Sequence, residues 1–207
     1  METVEFPLHS IERKGNSVLS RLLWLAALIG YISTNAFAGQ AAEKPVQPVP
    51  VSKEFLDGTK LLLKGAGCTI APPSSGWNWM TYDKSGQNFI CVNAKTLEIY
   101  GVGLETLKSE MTDHHPQSLI ASAKKTQEAR GGKLEKDVYE FIDIPGAKKA
   151  ARVTFTEIDK AGKKTLAVIY VINTRDLTVV KIHCNGPYTS EPDAFKAMVK
   201  SLKITPG

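Results

Sequence analysis

The chain is poor in cysteine, with three in 207 residues, too few for a fold held by a disulfide framework. Aromatic residues make up only 8%, and no apolar run reaches the ~20 residues of a membrane-spanning helix. Coiled-coil rods, collagen, wholly disordered tails and polytopic membrane proteins are thereby excluded. The common catalytic signatures are missing as well. There is no G-x-S-x-G, no G-x-x-x-x-G-K-[ST], no H-E-x-x-H and no C-x-x-C. Gly101-Val102-Gly103 lies within a strand pattern, leads into no helix that would seat a phosphate, and reads as a bulge or a close approach by a packed helix. With 43% apolar and 23% charged residues, what remains is an ordinary globular domain.

The N-terminus carries an address. Arg13, Lys14 and Arg21 precede an apolar run from Leu22 to Ile32, followed by Ser33-Thr34-Asn35 and Ala36-Phe37-Ala38. A basic segment, a short apolar core and an A-x-A site are the parts of a secretory signal peptide. Residues 1–38 are therefore expected to be removed, leaving a periplasmic or extracellular protein that does not span the membrane; a short uncleaved anchor is the alternative. Residues 39–51, with Pro45, Pro48 and Pro50, read as an extended spacer, and 52–207 as one α+β domain.

The net charge is +5, and 21 of the 26 basic residues are lysine. Nucleic-acid readers lean on the guanidinium fork of arginine, so no nucleic-acid partner is expected. Lys124-Lys125, Lys148-Lys149 and Lys163-Lys164 are spread along the chain and read as solvated surface, with weak attraction to anionic lipid or polysaccharide as the sharper reading.

The apolar spacing of Phe55, Leu56, Thr59, Leu62 and Leu63 predicts a helix over 53–64. Short strands are expected at Cys68–Ile70, Trp77–Tyr82, Asn88–Asn93 and Thr96–Leu104, separated by polar turns. Pro116 suits the first turn of a second helix over 116–130, closed by Gly131-Gly132. The period then switches to two. Val138–Ile144, Ala150–Asp159, Thr165–Asn173 and Leu177–Asn185 read as strands, the last three forming a meander. Ser190 and Asp193 look like a capping box for a third helix over 191–203, whose Phe195, Met198, Val199 and Leu202 share one face. The sum is a single antiparallel sheet of six or seven strands packed with helices.

Few residues offer chemistry. His114 and His115, with His183 elsewhere, are the weak candidates for a metal ion; the plainer reading makes the first two residues of the approach to a helix. Cys184 adjoins His183 on a strand, where neighbours face opposite ways, so the pair is a poor thiol catalyst. An exported chain with three cysteines suggests one bridge and one leftover thiol. Three pairings are possible, and Cys68–Cys91, closing the proline turn and tryptophan strand, is preferred; such a loop is worth about 3 kcal/mol. Cys184, on the face of Val180 and Ile182, would be a buried thiol. Trp77 and Trp79 share a strand face and serve either as core or as a sugar or peptide platform. Trp77 and Tyr188, beside loop ends, are the possible partner surface, with Tyr188 alternatively stapling the start of the last helix.

Pro72-Pro73-Ser74-Ser75-Gly76-Trp77, the strand at Thr96–Leu104, the strands from Val138 to Asn185 and the closing Phe195-x-x-Met198-Val199-x-Ser201-Leu202 resemble the PsbP-like fold. The resemblance implies a helix–sheet–helix sandwich and an accessory or binding role without catalysis or cofactor; it supplies no matching site residue. The expectation is a non-enzymatic exported protein that binds an envelope protein or small ligand, and the alternative a periplasmic metal-binding protein or a thiol/histidine enzyme.

Overall fold

Alternating apolar residues and polar turns build most of the molecule as antiparallel sheet. The structure is a computed structural model that describes residues 47–82 and 85–205. The expected signal peptide, 1–38, and the first part of the expected spacer lie outside the described residues. Two sheets form, not one. The larger has eight strands in the order β1-β5-β6-β7-β11-β10-β9-β8, and the smaller has four in the order β12-β4-β3-β2.

In the large sheet, β1 is Val49–Pro50, β5 Trp77–Thr81, β6 Asn88–Asn93 and β7 Ile99–Thr106. The strands of its other half are β8 Lys133–Ile142, β9 Lys149–Ile158, β10 Lys164–Arg175 and β11 Thr178–Gly186. Helix α1, His114–Ala129, carries the chain from β7 to the far edge at β8. The expected meander then returns through β9 and β10 to β11, which closes on β7. The end of the predicted spacer joins this sheet: Val49 pairs with Thr81, and Val51 is buried.

The small sheet comprises β2 Leu56–Asp57, β3 Lys60–Leu63, β4 Cys68–Ile70 and β12 Lys203–Ile204. The helix expected over 53–64 is absent. A single 3-10 turn at Lys53–Phe55 is followed by a hairpin whose two-residue loop is Gly58-Thr59. Gly58 adopts φ +60°, which suits glycine at the first loop position of a hairpin turn. Leu61 and Leu63 then alternate inward with strand period, both essentially solvent-free.

The second helix, α2, covers Asp193–Lys200, shorter than expected. Its capping box does not form: Pro192 occupies the N-cap position, and Asp193 pairs instead with Lys196 at 3.0 Å. The packing face is as expected, since Phe195 and Met198 are fully buried and Val199 and Leu202 nearly so. Leu202 lies just past the helix. Cross-strand registers place Val168, Ile172, Val180, Ile182, Cys184, Tyr100, Val102 and Phe89 on one face of the large sheet. These residues share one core with Leu61, Leu63, Cys68 and Ile70 of the small sheet and with Phe195 and Met198 of α2. Burying each such side chain is worth about 1.5–3 kcal/mol. The opposite face carries α1, with Ala123 and Gln127 buried against β8 and β9.

Candidate functional site

Tyr100 anchors one end of the core. It faces inward with Cys91 and Cys184 as its cross-strand neighbours and is completely buried. Trp77 stacks on it at 4.7 Å between ring centroids, and Phe195 meets it edge-on at 5.1 Å. With Trp77 and Trp79 at 8% and 7% exposure, both indoles belong to the core. The Tyr100 hydroxyl donates to Glu98 at 3.4 Å. Burial, together with the Glu98 charge, pushes its ionisation well above the tyrosine range.

Tyr188 lies half-buried at the same end, its ring packed across Gly186 so closely that a Cβ there would collide with it. Burial, then Glu98 and Cys184, push its hydroxyl to about 12. The adjoining β6–β7 loop is held by Asn93, whose Oδ1 accepts from Lys95 N at 2.9 Å and Thr96 N at 3.3 Å. That turn places Leu97 at φ +59° with 37% of its surface exposed. An apolar side chain in the left-handed region, turned outward, is costly both to backbone and to hydration.

A polar knot sits on the inner face beside this cluster. Glu191, in the segment leading into α2, is 6% exposed in its side chain. Its carboxylate accepts from Arg152 Nη2 at 2.8 Å and from the Tyr170 hydroxyl at 2.8 Å. Arg152 Nη1 donates in turn to Glu140 at 3.1 Å. Burial and the bond to Glu191 raise the Tyr170 ionisation above its ordinary range. Arg152 Nε and Thr154 Oγ1 are buried without a hydrogen-bond partner. Arg152 lies on the strand face opposite the buried Ala151 and Val153, and neither it nor Glu191 belongs to any motif in the sequence. The available signal was a charged residue on a strand face that becomes core one strand further on.

The histidines do not converge. His114 and His115 open α1, with ring centroids 6.2 Å apart, and His115 Nδ1 accepts from Thr112 N at 2.9 Å, tying the helix start. His183 lies mid-sheet on the other face of β11, laid over Gly101 where a Cβ would collide with its ring. The close approach at Gly101 thus comes from a side chain of the neighbouring strand, not from the packed helix expected there, because His183 is the cross-strand partner of Gly101. Burial, and secondarily the Lys181 charge, lower His183 to about 4, and its Nδ1 has no partner. Among the described residues, no three His, Cys, Asp or Glu side chains are grouped to hold a metal ion.

The expected Cys68–Cys91 bridge is not formed. All three cysteines are free and buried. Cys68 belongs to the small sheet and Cys91 to the large one; facing sheets pack about 10 Å apart, beyond the usual Cα separation of a disulfide. Cys184 is the buried thiol anticipated from its face. Burial pushes all three to about 12, where a thiol is inert.

No model of a known protein family and no curated protein matches the sequence. The solution structure of cyanobacterial PsbP (CyanoP) from Synechocystis sp. PCC 6803 is similar in fold, with a TM-score of 0.51 and 10% identity over 83% of this chain and 99% of that one. A crystal structure from Bacteroides thetaiotaomicron VPI-5482 gives a TM-score of 0.42 and 11% identity, with 72% of this chain covering 49% of that one. The chain has a PsbP-like fold. Among the described residues, no helix is long and apolar enough to cross a membrane.

Proposed function

We propose that this chain is an exported, non-enzymatic accessory protein that binds a partner through the end of the sandwich holding Leu97 and Tyr188. One observation carries the reading: apart from the exposed His114, the groups that would do chemistry are built into structure. The three thiols are buried with raised ionisation, His115 ties the start of α1 and His183 is packed over Gly101. By contrast, Leu97 is an outward apolar side chain on a left-handed residue, a cost that a binding role accounts for. The leader of residues 1–38 supports export to the periplasm or beyond.

The test is affinity capture from envelope extracts with the parent chain, Leu97→Asp and Tyr188→Ala, alongside melting curves. Loss of a specifically retained protein in Leu97→Asp, at unchanged melting temperature, is the expected result. Retention of the same partner by both variants overturns the assignment of the surface, and Tyr188→Ala that costs only stability makes that ring a staple. An exported product whose intact mass still includes Met1 overturns the cleavage. Stoichiometric copper or zinc, lost in a His114→Ala/His115→Ala double variant, would move the protein to the metal-binding class.

A further inference from the structure

The lysines that are scattered along the sequence meet at one corner of the fold. The last turns of α1 and the start of β8 lie against the β9–β10 hairpin: a Cβ on Gly131 would sit 3.8 Å from Lys160 Cβ, and one on Gly132 would abut the Ile158 carbonyl. Lys133 and Lys164 pair with the same residue, Ile158, in register. Their ammonium groups both reach Glu135, at 2.6 and 3.7 Å. Residues 124–137 and 159–164 together hold eight Lys and Arg against four Asp and Glu.

Two of these four acids, Glu135 and Asp159, are already engaged from within. Glu135 is held below the usual carboxylate range, first by its hydrogen bond from Lys133 and then by the charges of Lys133, Lys164 and Lys136. Asp159 accepts from the Ala161 and Lys163 amides at 2.8 and 2.9 Å. Lys124, Lys125, Lys160 and Lys163 are exposed, so the corner presents a surplus of mobile ammonium groups to solvent. Val138, 59% exposed, follows it on the edge strand.

We infer that this corner docks on a membrane surface bearing anionic phospholipid headgroups. Seven of the eight cations are lysine, compact point charges suited to a diffuse sheet of phosphate rather than to bidentate base or phosphate reading. Neither segment contains an aromatic residue, which a sugar-stacking or base-stacking surface would use. An exposed valine beside the lysines fits the headgroup boundary of a bilayer. This surface, on the α1–β8–β9–β10 side, shares with Leu97 and Tyr188 the sheet end set by the Leu166↔Gly186 and Cys184↔Tyr100 registers, but it uses different residues and does not rest on that proposal.

Vesicle co-sedimentation of the full chain tests the inference, with pure phosphatidylcholine vesicles compared with vesicles containing roughly a third phosphatidylglycerol, at low and high salt. The parent is compared with Lys124→Gln/Lys125→Gln/Lys160→Gln/Lys163→Gln and with a control of equal charge change, Lys53→Gln/Lys95→Gln/Lys200→Gln/Lys203→Gln. At roughly fivefold per lysine near the surface, the corner variant is expected to lose several hundredfold in affinity for the anionic vesicles, and the control less than about tenfold. Both variants replace exposed residues, and circular dichroism checks that they fold. Equal losses in the two variants, binding that pure phosphatidylcholine reproduces, or no binding by the parent overturns the inference. Tighter binding to an acidic polysaccharide than to the vesicles overturns the choice of lipid.

Discussion

Glu191→Ala is the sharpest perturbation of the polar knot. Alanine removes two bonds at once, each 2.8 Å long, from Arg152 and Tyr170. It leaves the Tyr170 hydroxyl without its acceptor and the guanidinium with Glu140 alone, a carboxylate that is 60% exposed. Breaking a buried ion pair costs about 3–5 kcal/mol, because the surviving charge stays behind without compensation. Arg152 is 28% exposed and keeps one partner, so solvent screening moves the figure to the low end, about 3 kcal/mol. In a chain of this size that is a fall of about 6–12 °C in melting temperature. A hydrophobic replacement of both charges, Arg152→Met/Glu191→Leu, should recover most of the loss, since it removes the desolvation cost along with the attraction. Urea and thermal denaturation of parent, singles and double close the cycle, with an expected coupling of about 1–3 kcal/mol. A Glu191→Ala protein within about 0.5 kcal/mol of the parent, or singles that simply add, would refute the reasoning.

The three thiols should stay unreactive toward a soluble disulfide reagent near neutral pH and all react in denaturant; one fast-reacting native thiol would contradict their burial. They also set an alkaline limit. Their folded ionisation near 12 lies above the unfolded value of 9.0, so stability is intact below pH 9 and falls as pH rises toward 12, measurable as a declining urea midpoint. His183 acts at the other end. Its folded value of about 4 lies below the unfolded 6.5, so its contribution is present above pH 6.5 and is lost as pH falls toward 4, by about 3 kcal/mol. The flanking charges are Lys181, which disfavours a second cation, and Glu105, which pairs with Lys181; His183→Gln should flatten this acid limb, and an unchanged limb would refute the assignment. Gly101→Ala should cost about 1–3 kcal/mol by driving a methyl into the His183 ring, and adding His183→Ala should restore most of it; a double variant no better than Gly101→Ala would show that the ring is not what the methyl meets.

The parts of the fold that were legible in the sequence are those with a local period. The strand over Ala150–Asp159 is legible because Ala151, Val153 and Phe155 alternate with Arg152, Thr154 and Thr156, and alternation is a property of the strand itself. The Asn173–Asp176 turn marked the hairpin in the same way. The segment at 53–64 failed because two periods compete there: Phe55, Leu56, Thr59, Leu62 and Leu63 satisfy the helical spacing, while Leu61 and Leu63 satisfy the strand spacing. Asp57-Gly58 was the deciding signal, since that dipeptide favours a tight hairpin and disfavours a helix interior. With the helix removed, the extra hairpin pairs with β4 and a second sheet appears, which no period within β4 alone could announce.

The capping motif failed for a related reason, and its failure explains why the knot was invisible. Ser190 and Asp193 satisfy a local rule, but Glu191, one of the two residues between them, has stronger business 21 and 39 residues away, at Tyr170 and Arg152. Those two side chains stand opposite each other only because β9 and β10 pair in the register Arg152↔Tyr170. The carboxylate thus meets its partners through strand register and the docking of the segment before α2, both tertiary facts. The surplus lysines obey the same logic: Lys133 and Lys164 are neighbours by architecture, both in register with Ile158 once α1 delivers β8 to the edge beside the β9–β10 hairpin. Charge that reads as diffuse along a chain becomes a surface when a crossover brings distant segments together, and such a crossover is a connection that periodicity does not specify.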